Sequence, residues 1–378
     1  MNVLLDGRRR NFRTVSFDAR RNAVRLIDQR LLPHRFAVVA TRDFRDTATA
    51  IRDMVVRGAG AIGAAAAYGL AQGARQFQGR DQRRFERHIA AVFRTLESAR
   101  PTAVDPVNAL RGVCAAMSAG ATTTEQQVLA WEAAERFADR NVAECQSIGR
   151  HGARLIRSGM RILTHCNAGW LAFVDFGSAT APLYAAQGRG KKFHVFCDET
   201  RPRCQGATLT AWELAQQGIS HEIIADSAAG HLMQRGEIDL VIVGSDRTLG
   251  RTGEVANKIG TYTQAVVAHR HGIPFYVAIP FSTLDWTLRA GKEIPIEERS
   301  GDEVLGARGI SHSDQESKNK NRKSREPVYV RVANPASKAR NPGFDVTPPD
   351  LITGIITPAG IFRPRELWAR RSELRGVV

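Results

Sequence analysis

The chain has 378 residues, of which 43% are hydrophobic and 24% are charged. This length allows two domains of ordinary size, and this composition supports a core, which excludes a small disulfide-stapled fold and global disorder. The 54 lysines and arginines exceed the 38 acidic residues by 16, so nucleic acid, an anionic membrane and phosphorylated metabolites are the partner classes to weigh.

The cysteines and the first residues of the sequence indicate the cellular compartment of the protein. Five cysteines form an odd number without a C-x-x-C pair, a pattern typical of reduced thiols in the cytoplasm. The first residues lack the apolar stretch of a signal peptide, and the most apolar segment, residues 59–71, is too short to cross a bilayer. We therefore predict a cytoplasmic protein that does not contact membranes.

The first part of the chain has a helical pattern. Residues 15–41 predict two or three short strands, and from Thr41 to Arg157 apolar residues recur every three or four positions, as in the stripe of Ile89, Val92, Phe93 and Leu96. We predict a mainly helical N-terminal domain with a small antiparallel sheet over residues 1–150.

After Gly159, short apolar runs alternate with helical segments. The runs are 161–167, 192–199, 221–227, 238–246 and 273–280. Apolar strands joined by crossover helices predict a Rossmann-like parallel sheet over residues 151–378, with a final strand-containing unit near 344–362. Ligands of such sheets bind at the carboxyl ends of the strands, which singles out Cys166, Asp198, Asp226 and Asp246.

One segment does not fit this domain. Residues 306–341 hold nine lysines and arginines against three acids, and few large apolar residues. We predict a disordered or loosely packed insertion.

The stretch Arg57-Gly58-Ala59-Gly60 precedes a helix expected to start near Ala61. Backbone N–H groups at a helix start, together with a guanidinium, can bind a phosphate. The same small residues also suit close helix packing, and the spacing matches neither established phosphate-loop motif. Both interpretations stay open.

Cys166 and Asp246 each follow a predicted strand. An exposed thiol near a helix start can ionise, although a lone cysteine is more often a buried apolar residue. A partly desolvated Asp246 would suit a general acid; a helix N-cap or a pair with Arg247 is the alternative. His165, on the opposite face from Cys166, receives no role.

Three further polar residues, Gln205, Asn257 and Lys258, are placed on loops after other strands. Taken singly, each is expected at the surface. Asp198 and Glu199 could bind a metal, but no second acidic cluster accompanies them, and we predict no metal site.

Several long motifs, taken in order, resemble the methylthioribose-1-phosphate isomerases. They include VVRGAGAIGAAAAYGLA, ARPTAVD, ILTHCNAG, DETRPRCQGATLTAWEL, DLVIVGSDR, GEVANKIG, IPIEER and NPGFDVTPPDLITGIIT, and they span Arg52 to Thr357 apart from the insertion. The wider family includes regulatory subunits of translation initiation factor 2B and ribose-1,5-bisphosphate isomerase.

This resemblance implies a homodimeric aldose–ketose isomerase of two domains that needs no cofactor and acts on a sugar 1-phosphate. By motif, Cys166 and Asp246 match the catalytic pair. The residues that match substrate-binding positions are Arg57, Gly58, Ala59, Arg100, Gln205, Asn257 and Lys258.

The sequence departs from the family pattern at Gly60, which is commonly proline, and at Trp170, which suggests a branch associated with 5-deoxyribose 1-phosphate. A dual-substrate enzyme and a regulatory protein without catalysis remain alternatives. The basic residues are scattered and interleave with few aromatics, so no specific nucleic-acid partner is predicted.

Overall fold

The computed structural model describes residues 1–100, 104–310 and 327–374. The chain begins with a hairpin of β1 (Asn2–Leu5) and β2 (Arg8–Asn11). An antiparallel sheet follows, in the order β3 (Val15–Asp18), β4 (Ala23–Ile27) and β5 (Val38–Thr41). This is the small sheet that the sequence predicts ahead of the helices.

Five helices form the rest of the N-terminal region, as predicted. They are α1 (Phe44–Arg52), α2 (Ala59–Gln76), α3 (Gln82–Glu97), α4 (Val104–Met117) and α5 (Thr123–Gly152). The predicted stripe of α3 faces the core, with Val92 and Leu96 fully buried and Ile89 and Phe93 packed beside them. The division of the chain at residue 150 falls in the last turn of α5 and stays a prediction.

Helix α2 lies at the centre of this region. Its residues are buried continuously from Gly60 to Ala74. A Cβ atom added at Gly73 would lie 2.7 Å from a methyl of Val92 on α3, so small residues are what allow the neighbouring helices to approach. Close packing therefore explains the body of α2, and the phosphate hypothesis concerns only its first turn.

A seven-stranded sheet forms the C-terminal region. Its order is β18 (Gly360–Phe362), β17 (Gly354–Thr357), β12 (Phe275–Ala278), β9 (Leu240–Val243), β6 (Arg161–Thr164), β7 (His194–Asp198) and β8 (His221–Ile224). All neighbours are parallel except β17 and β18. The five predicted runs supply β6, β7, β8, β9 and β12, which confirms the Rossmann-like sheet, and β17 confirms that the final unit joins it.

Helices connect these strands. They are α6 (Ala181–Gly188), α7 (Ala211–Gln217), α8 (Ala228–Gln234) and α9 (Thr261–Arg270), with two short ones, α10 (Asp302–Leu305) and α11 (Arg371–Leu374), later in the chain. None of the helices in the described part of the chain has the length and apolar composition needed to cross a bilayer.

A second, four-stranded sheet was not predicted. Its order is β13 (Leu284–Asp285), β10 (Arg247–Leu249), β11 (Val255–Lys258) and β16 (Phe344–Thr347). Residues 257 and 258, assigned to a loop from sequence, therefore belong to a strand, and that assignment was wrong. The sheet lies directly after β9 in the chain, at the edge where ligands of a parallel sheet bind.

The predicted disordered insertion is ordered at both ends. Strands β14 (Gly306–Gly309) and β15 (Val328–Arg331) pair as an antiparallel hairpin. Asn341 is buried, and its Nδ2 donates to the Ser300 carbonyl at 2.8 Å. Backbone pairing and this buried amide order the flanks despite their polar composition. The centre of the segment, residues 311–326, lies outside the described residues, and loose packing of the insertion stays a prediction.

Two glycine-to-alanine changes separate packing from helix propensity. At Gly149 of α5, an added Cβ would lie 2.9 Å from the Ala181 carbonyl oxygen of α6, whereas at Gly112 of α4 nothing lies within 4 Å. Gly149→Ala is expected to lower the free energy of unfolding by about 1–2 kcal/mol because overpacking outweighs propensity. Gly112→Ala is expected to raise it by about 0.5–1 kcal/mol. Denaturant titrations measure the free energy of unfolding of both variants. If both variants change it by the same amount and in the same direction, the close contact at Gly149 is contradicted.

Candidate active site

One cavity, here called the central cavity, lies at the carboxyl ends of β6 and β9. The first turn of α2 and strand β11 contribute to its wall. Eight of the nine residues that the sequence predicts for the site line it: Arg57, Gly58, Ala59, Arg100, Cys166, Gln205, Asp246 and Lys258. Residues from both halves of the chain thus meet at one place.

The ninth predicted residue, Asn257, points elsewhere. Neighbouring side chains of a strand face opposite sides, and Ala256 and Lys258 of β11 line the cavity. Asn257 is buried on the other side, where its Nδ2 donates to Thr261 Oγ1 at 2.9 Å. Its side chain secures the start of α9 rather than the cavity wall.

The expectation of surface positions for Gln205, Asn257 and Lys258 was wrong. Each is only 4–5% exposed. Lys258 Nζ donates to the Gly343 carbonyl at 2.7 Å and lies 4.5 Å from the ring centre of Phe344. Both partners come from the segment around β16, which is distant in sequence, so no local pattern signals this burial.

The backbone holds Cys166 in a fixed position two residues beyond β6. Its φ is +65°, in the left-handed region that residues other than glycine rarely adopt. The Cys166 N–H donates to Thr200 Oγ1 at 2.8 Å, and its carbonyl accepts from Thr210 Oγ1 at 2.7 Å. The thiol is buried, at 7% exposure for the residue, and lines the cavity. The surrounding contacts therefore stabilise a backbone conformation that is unfavourable by itself.

His165 has a structural role that the sequence did not reveal. Its Nδ1 lies 2.8 Å from Asp198 Oδ2, and its Nε2 lies 2.9 Å from the Ile259 carbonyl oxygen. Burial alone would lower the pKa of His165, and the Asp198 carboxylate raises it above its ordinary value. Burial raises the pKa of Asp198 to about 6. The pair ties the ends of β6, β7 and β11 together immediately beside Cys166.

The same pair belongs to a cluster of potential metal ligands. Ligand atoms of His165, Asp198 and Asp226 lie within 4.8 Å of one another. Both ring nitrogens of His165 already have partners, and the Asp226 carboxylate accepts from the N–H groups of Thr200 and Arg201, each at 2.7 Å. These hydrogen bonds account for the grouping without an ion.

Asp246 lies between β9 and β10, and its N–H donates to the Ala256 carbonyl at 3.0 Å. Its side chain is exposed to the cavity, so the prediction of partial desolvation was wrong. Both alternatives were wrong as well. A strand rather than a helix follows Asp246, and Arg247 pairs with Asp285 at 3.2 Å.

The turn at Arg57 and Gly58, just before α2, places backbone N–H groups and the Arg57 guanidinium at one end of the cavity. Helix α2 begins at Ala59, two residues earlier than predicted, and Gly58 has a φ of +91°. A Cβ atom at Gly58 would lie 2.4 Å from the Ala172 Cα atom, so only glycine fits. Arg57 donates to the Oδ1 and carbonyl oxygens of Asn167 at 2.8 and 3.0 Å, which fixes its direction.

Positive charge dominates the wall of the cavity. Beyond the predicted cations, three further arginines line it, and each has a carboxylate partner: Arg203 with Glu303 at 2.9 Å, Arg247 with Asp285 at 3.2 Å and Arg299 with Glu297 at 3.3 Å. Arg57 and Lys258 instead bond to uncharged groups. Burial, reinforced by Arg299, lowers the pKa of Lys258 to about 8. An anion that binds in the cavity would offset the repulsion between Lys258 and the neighbouring arginines.

Three of these lining residues, Arg203, Arg299 and Asp105, were not among the site residues predicted from the sequence. Arg203, Arg299 and Asp105 lie within DETRPRCQG, IPIEER and ARPTAVD, three of the motifs that carry the family resemblance. Motif membership was therefore the available signal, whereas their orientation depends on the folded chain.

Comparison with known proteins gives concordant matches. Methylthioribose-1-phosphate isomerase from Sinorhizobium medicae is 44% identical over 93% of this chain and 94% of its own, and the enzyme of that name from Methylorubrum populi is 46% identical over 94% of each. The solved 5-methylthioribose 1-phosphate isomerase of Pyrococcus horikoshii superposes with a TM-score of 0.84 at 37% identity, covering 98% of this chain and 97% of that one.

A solved structure named translation initiation factor eIF-2B subunit delta, from A. fulgidus, has a TM-score of 0.79 at 38% identity, covering 94% of this chain and 97% of that one. The fold is thus shared by proteins with two kinds of name. Because the model of the initiation factor 2 subunit family matches residues 55–364, the chain belongs to that family.

Proposed function

We propose that this chain is an aldose–ketose isomerase that converts 5-methylthioribose 1-phosphate to 5-methylthioribulose 1-phosphate, a methionine salvage reaction. The relatives of that name support this function. The observation that carries it is the meeting of Cys166 and Asp246 in a cationic cavity that both halves of the chain form. An enzyme of this type needs an acid, a base and a phosphate site together.

The phosphate group is expected at the start of α2. Within residues 1–100, 104–310 and 327–374, Arg57 and Lys258 form no ion pair with a carboxylate, and Gly58 and Ala59 line the cavity at the helix start. Helix N-termini and guanidinium groups are favourable partners of phosphate. Arg100, whose Nη2 lies 3.9 Å from Glu297, completes the predicted set.

The reaction begins with ring opening, because the phosphate on the anomeric oxygen prevents ordinary mutarotation. In the proposed mechanism Asp246 donates a proton to the ring oxygen, and the Cys166 thiolate removes the proton from C2. The enediol then receives a proton at C1 from the Cys166 thiol, while its O2 hydroxyl returns a proton to the Asp246 carboxylate, which gives the ketose 1-phosphate and restores both groups. Substrate that fills the cavity would cover the exposed Asp246 carboxyl and exclude water from it.

A hydride shift from C2 to C1, with the same pair polarising the oxygens, is the alternative chemistry. It retains the C2 hydrogen, whereas the enediol route exposes it to exchange with solvent.

A regulatory protein without catalysis is the alternative that the initiation-factor relative raises. The positions of Cys166 and Asp246 in the same cavity favour an enzyme, since regulation does not require them there. A homodimer in the cytoplasm is the assembly and location that we propose with this function.

Acceptance of 5-deoxyribose 1-phosphate is a second candidate activity. The cavity wall includes the apolar side chains of Met54, Ile62 and Ile294, which suit a methylthio group. A sugar that lacks such a group loses only about 1–3 kcal/mol of binding, so the pocket discriminates weakly between the two substrates. Comparable kcat/KM values for the two sugars would identify a dual-substrate enzyme.

The catalytic pair has a direct test. The purified protein is expected to turn over 5-methylthioribose 1-phosphate, and Cys166→Ser and Asp246→Asn are each expected to lower kcat by about 10²–10⁴-fold at an unchanged melting temperature. Cys114→Ser, at a half-buried cysteine on α4, is the matched control and should keep full activity. Near-native turnover by either site variant would contradict the assignment.

Lys258 is expected to limit the activity at alkaline pH. Its ammonium is protonated below its pKa of about 8 and loses its charge as the pH rises through that value, so kcat/KM should fall above about pH 8. In Lys258→Gln, kcat/KM should no longer fall between pH 7 and pH 9. Its value at pH 7 should be lower by about 10–100-fold, since a hydrogen bond to a charged group is lost. The exposed Lys292→Gln is the control. An unchanged alkaline limb in the Lys258 variant would rule out this assignment.

Isotope exchange separates the two chemistries. Turnover of C2-protiated substrate in deuterium oxide is expected to give ketose that carries deuterium at C1, because the proton on Cys166 exchanges with solvent. Mass spectrometry of the product measures the incorporation. Complete retention of the original hydrogen would exclude the enediol route and favour the hydride shift.

A further inference from the structure

Asp105 is a buried carboxyl group that faces the central cavity. It lies in the first turn of α4, is 3% exposed and lines the cavity. Ser282 lies close enough to favour its ionised form. Neither carboxylate oxygen, however, has a partner of hydrogen-bond geometry within the described residues. Native proteins rarely leave a buried carboxylate unsatisfied, so the arrangement indicates a missing hydrogen-bond donor.

The position of Asp105 relative to α2 indicates which part of a ligand it meets. Its Cβ atom would lie 3.5 Å from a Cβ atom added at Gly63, five residues beyond Gly58. At a rise of about 1.5 Å per residue, this is roughly 7.5 Å along the helix from the proposed phosphate site. A sugar ring bound by its phosphate at the start of α2 can span this separation.

The charge of Asp105 excludes the phosphate as its partner. Burial raises the pKa of Asp105 to about 6, so the group is mainly a carboxylate at neutral pH and repels a phosphate. A carboxylate only accepts hydrogen bonds. The hydroxyl groups of a sugar are the donors that the proposed substrate can offer here.

We propose that Asp105 is a substrate-binding residue that accepts a hydrogen bond from a ring hydroxyl of the sugar phosphate. The inference rests on the proposed function and extends it, because it assigns recognition of the hydroxyl groups to one residue. The central cavity then has two ends of opposite charge, which orient the sugar: cations hold the phosphate and Asp105 holds a hydroxyl.

The test compares two ligands, 5-methylthioribose 1-phosphate and inorganic phosphate, by calorimetry. Asp105→Asn is expected to weaken binding of the sugar phosphate by about 10–100-fold, since a charge-assisted hydrogen bond is lost. Inorganic phosphate should bind equally well or more tightly, because a nearby negative charge has been removed. The melting temperature should stay level or rise, because the variant no longer buries an unpaired charge.

Glu144 provides the matched control. It is a partly buried carboxyl whose pKa burial raises to about 7, and it interacts electrostatically with Asp105. It accepts from the Phe281 N–H at 3.1 Å and is not among the residues found to line the cavity in the described ranges. Glu144→Gln should therefore leave the affinities for both ligands within a factor of about two.

Three results would overturn the inference: equal weakening of both ligands by Asp105→Asn, no weakening of either, or the same effect in Glu144→Gln. Asp105→Ala, which removes the acceptor entirely, should weaken sugar-phosphate binding at least as much as Asp105→Asn. A native protein that binds the sugar phosphate without turning it over would contradict the proposed function while leaving the comparison at Asp105 valid.

Discussion

The reversal of strand order at β6 is the constraint that brings the reactive groups together. The chain adds β7 and β8 on one side of β6 and then returns to place β9 on the other side. Connections that leave in opposite directions open a crevice at the carboxyl ends of the two central strands. Cys166 follows β6 and Asp246 follows β9, so the topology alone places both at this crevice. The first turn of α2 and strand β11 then form further parts of its wall.

The chain has an excess of 16 positive charges, and the structure shows that the number of cations says little about binding. Three of the arginines in the cavity are paired with carboxylates. The groups that stay available to an anion are distinguished by what they bond to. Arg57 bonds to an amide and Lys258 to a backbone carbonyl, so both keep their full charge toward the cavity. Partner identity, rather than net charge, therefore determines where a phosphate is favoured.

Local patterns in the sequence were sufficient for the parts of the molecule that local physics controls. Apolar runs between helical segments identified five strands of the parallel sheet, and the strand-end rule identified Cys166 and Asp246. The small strands β10 and β11 have three and four residues, and β11 pairs with β16 almost ninety residues later, so no short pattern predicts them. The burial of Lys258 and the solvent exposure of Asp246 follow from this sheet and were missed for the same reason.

Asp105 shows a second limit of sequence reasoning. A carboxyl in the first turn of a helix is ordinarily explained by the helix dipole, and nothing in the sequence separates that role from a binding role. Only the folded chain shows that neither oxygen has a partner of hydrogen-bond geometry among the residues that the structure describes, and that Asp105 lines the cavity. An unsatisfied group is a property of the surroundings, which come from several distant segments.

The His165–Asp198 pair explains how the Cys166 loop keeps its unfavourable backbone. The Ile259 carbonyl can only accept, so His165 Nε2 carries a proton, and the contact between Nδ1 and the Asp198 carboxyl then requires a second proton. The buried pair is thus held by a shared proton, next to a residue whose φ is +65°. Thr200 and Thr210 secure the same loop from the segment after β7. Because the chain's own residues form these bonds, they can hold the thiol in position without drawing on the free energy of substrate binding.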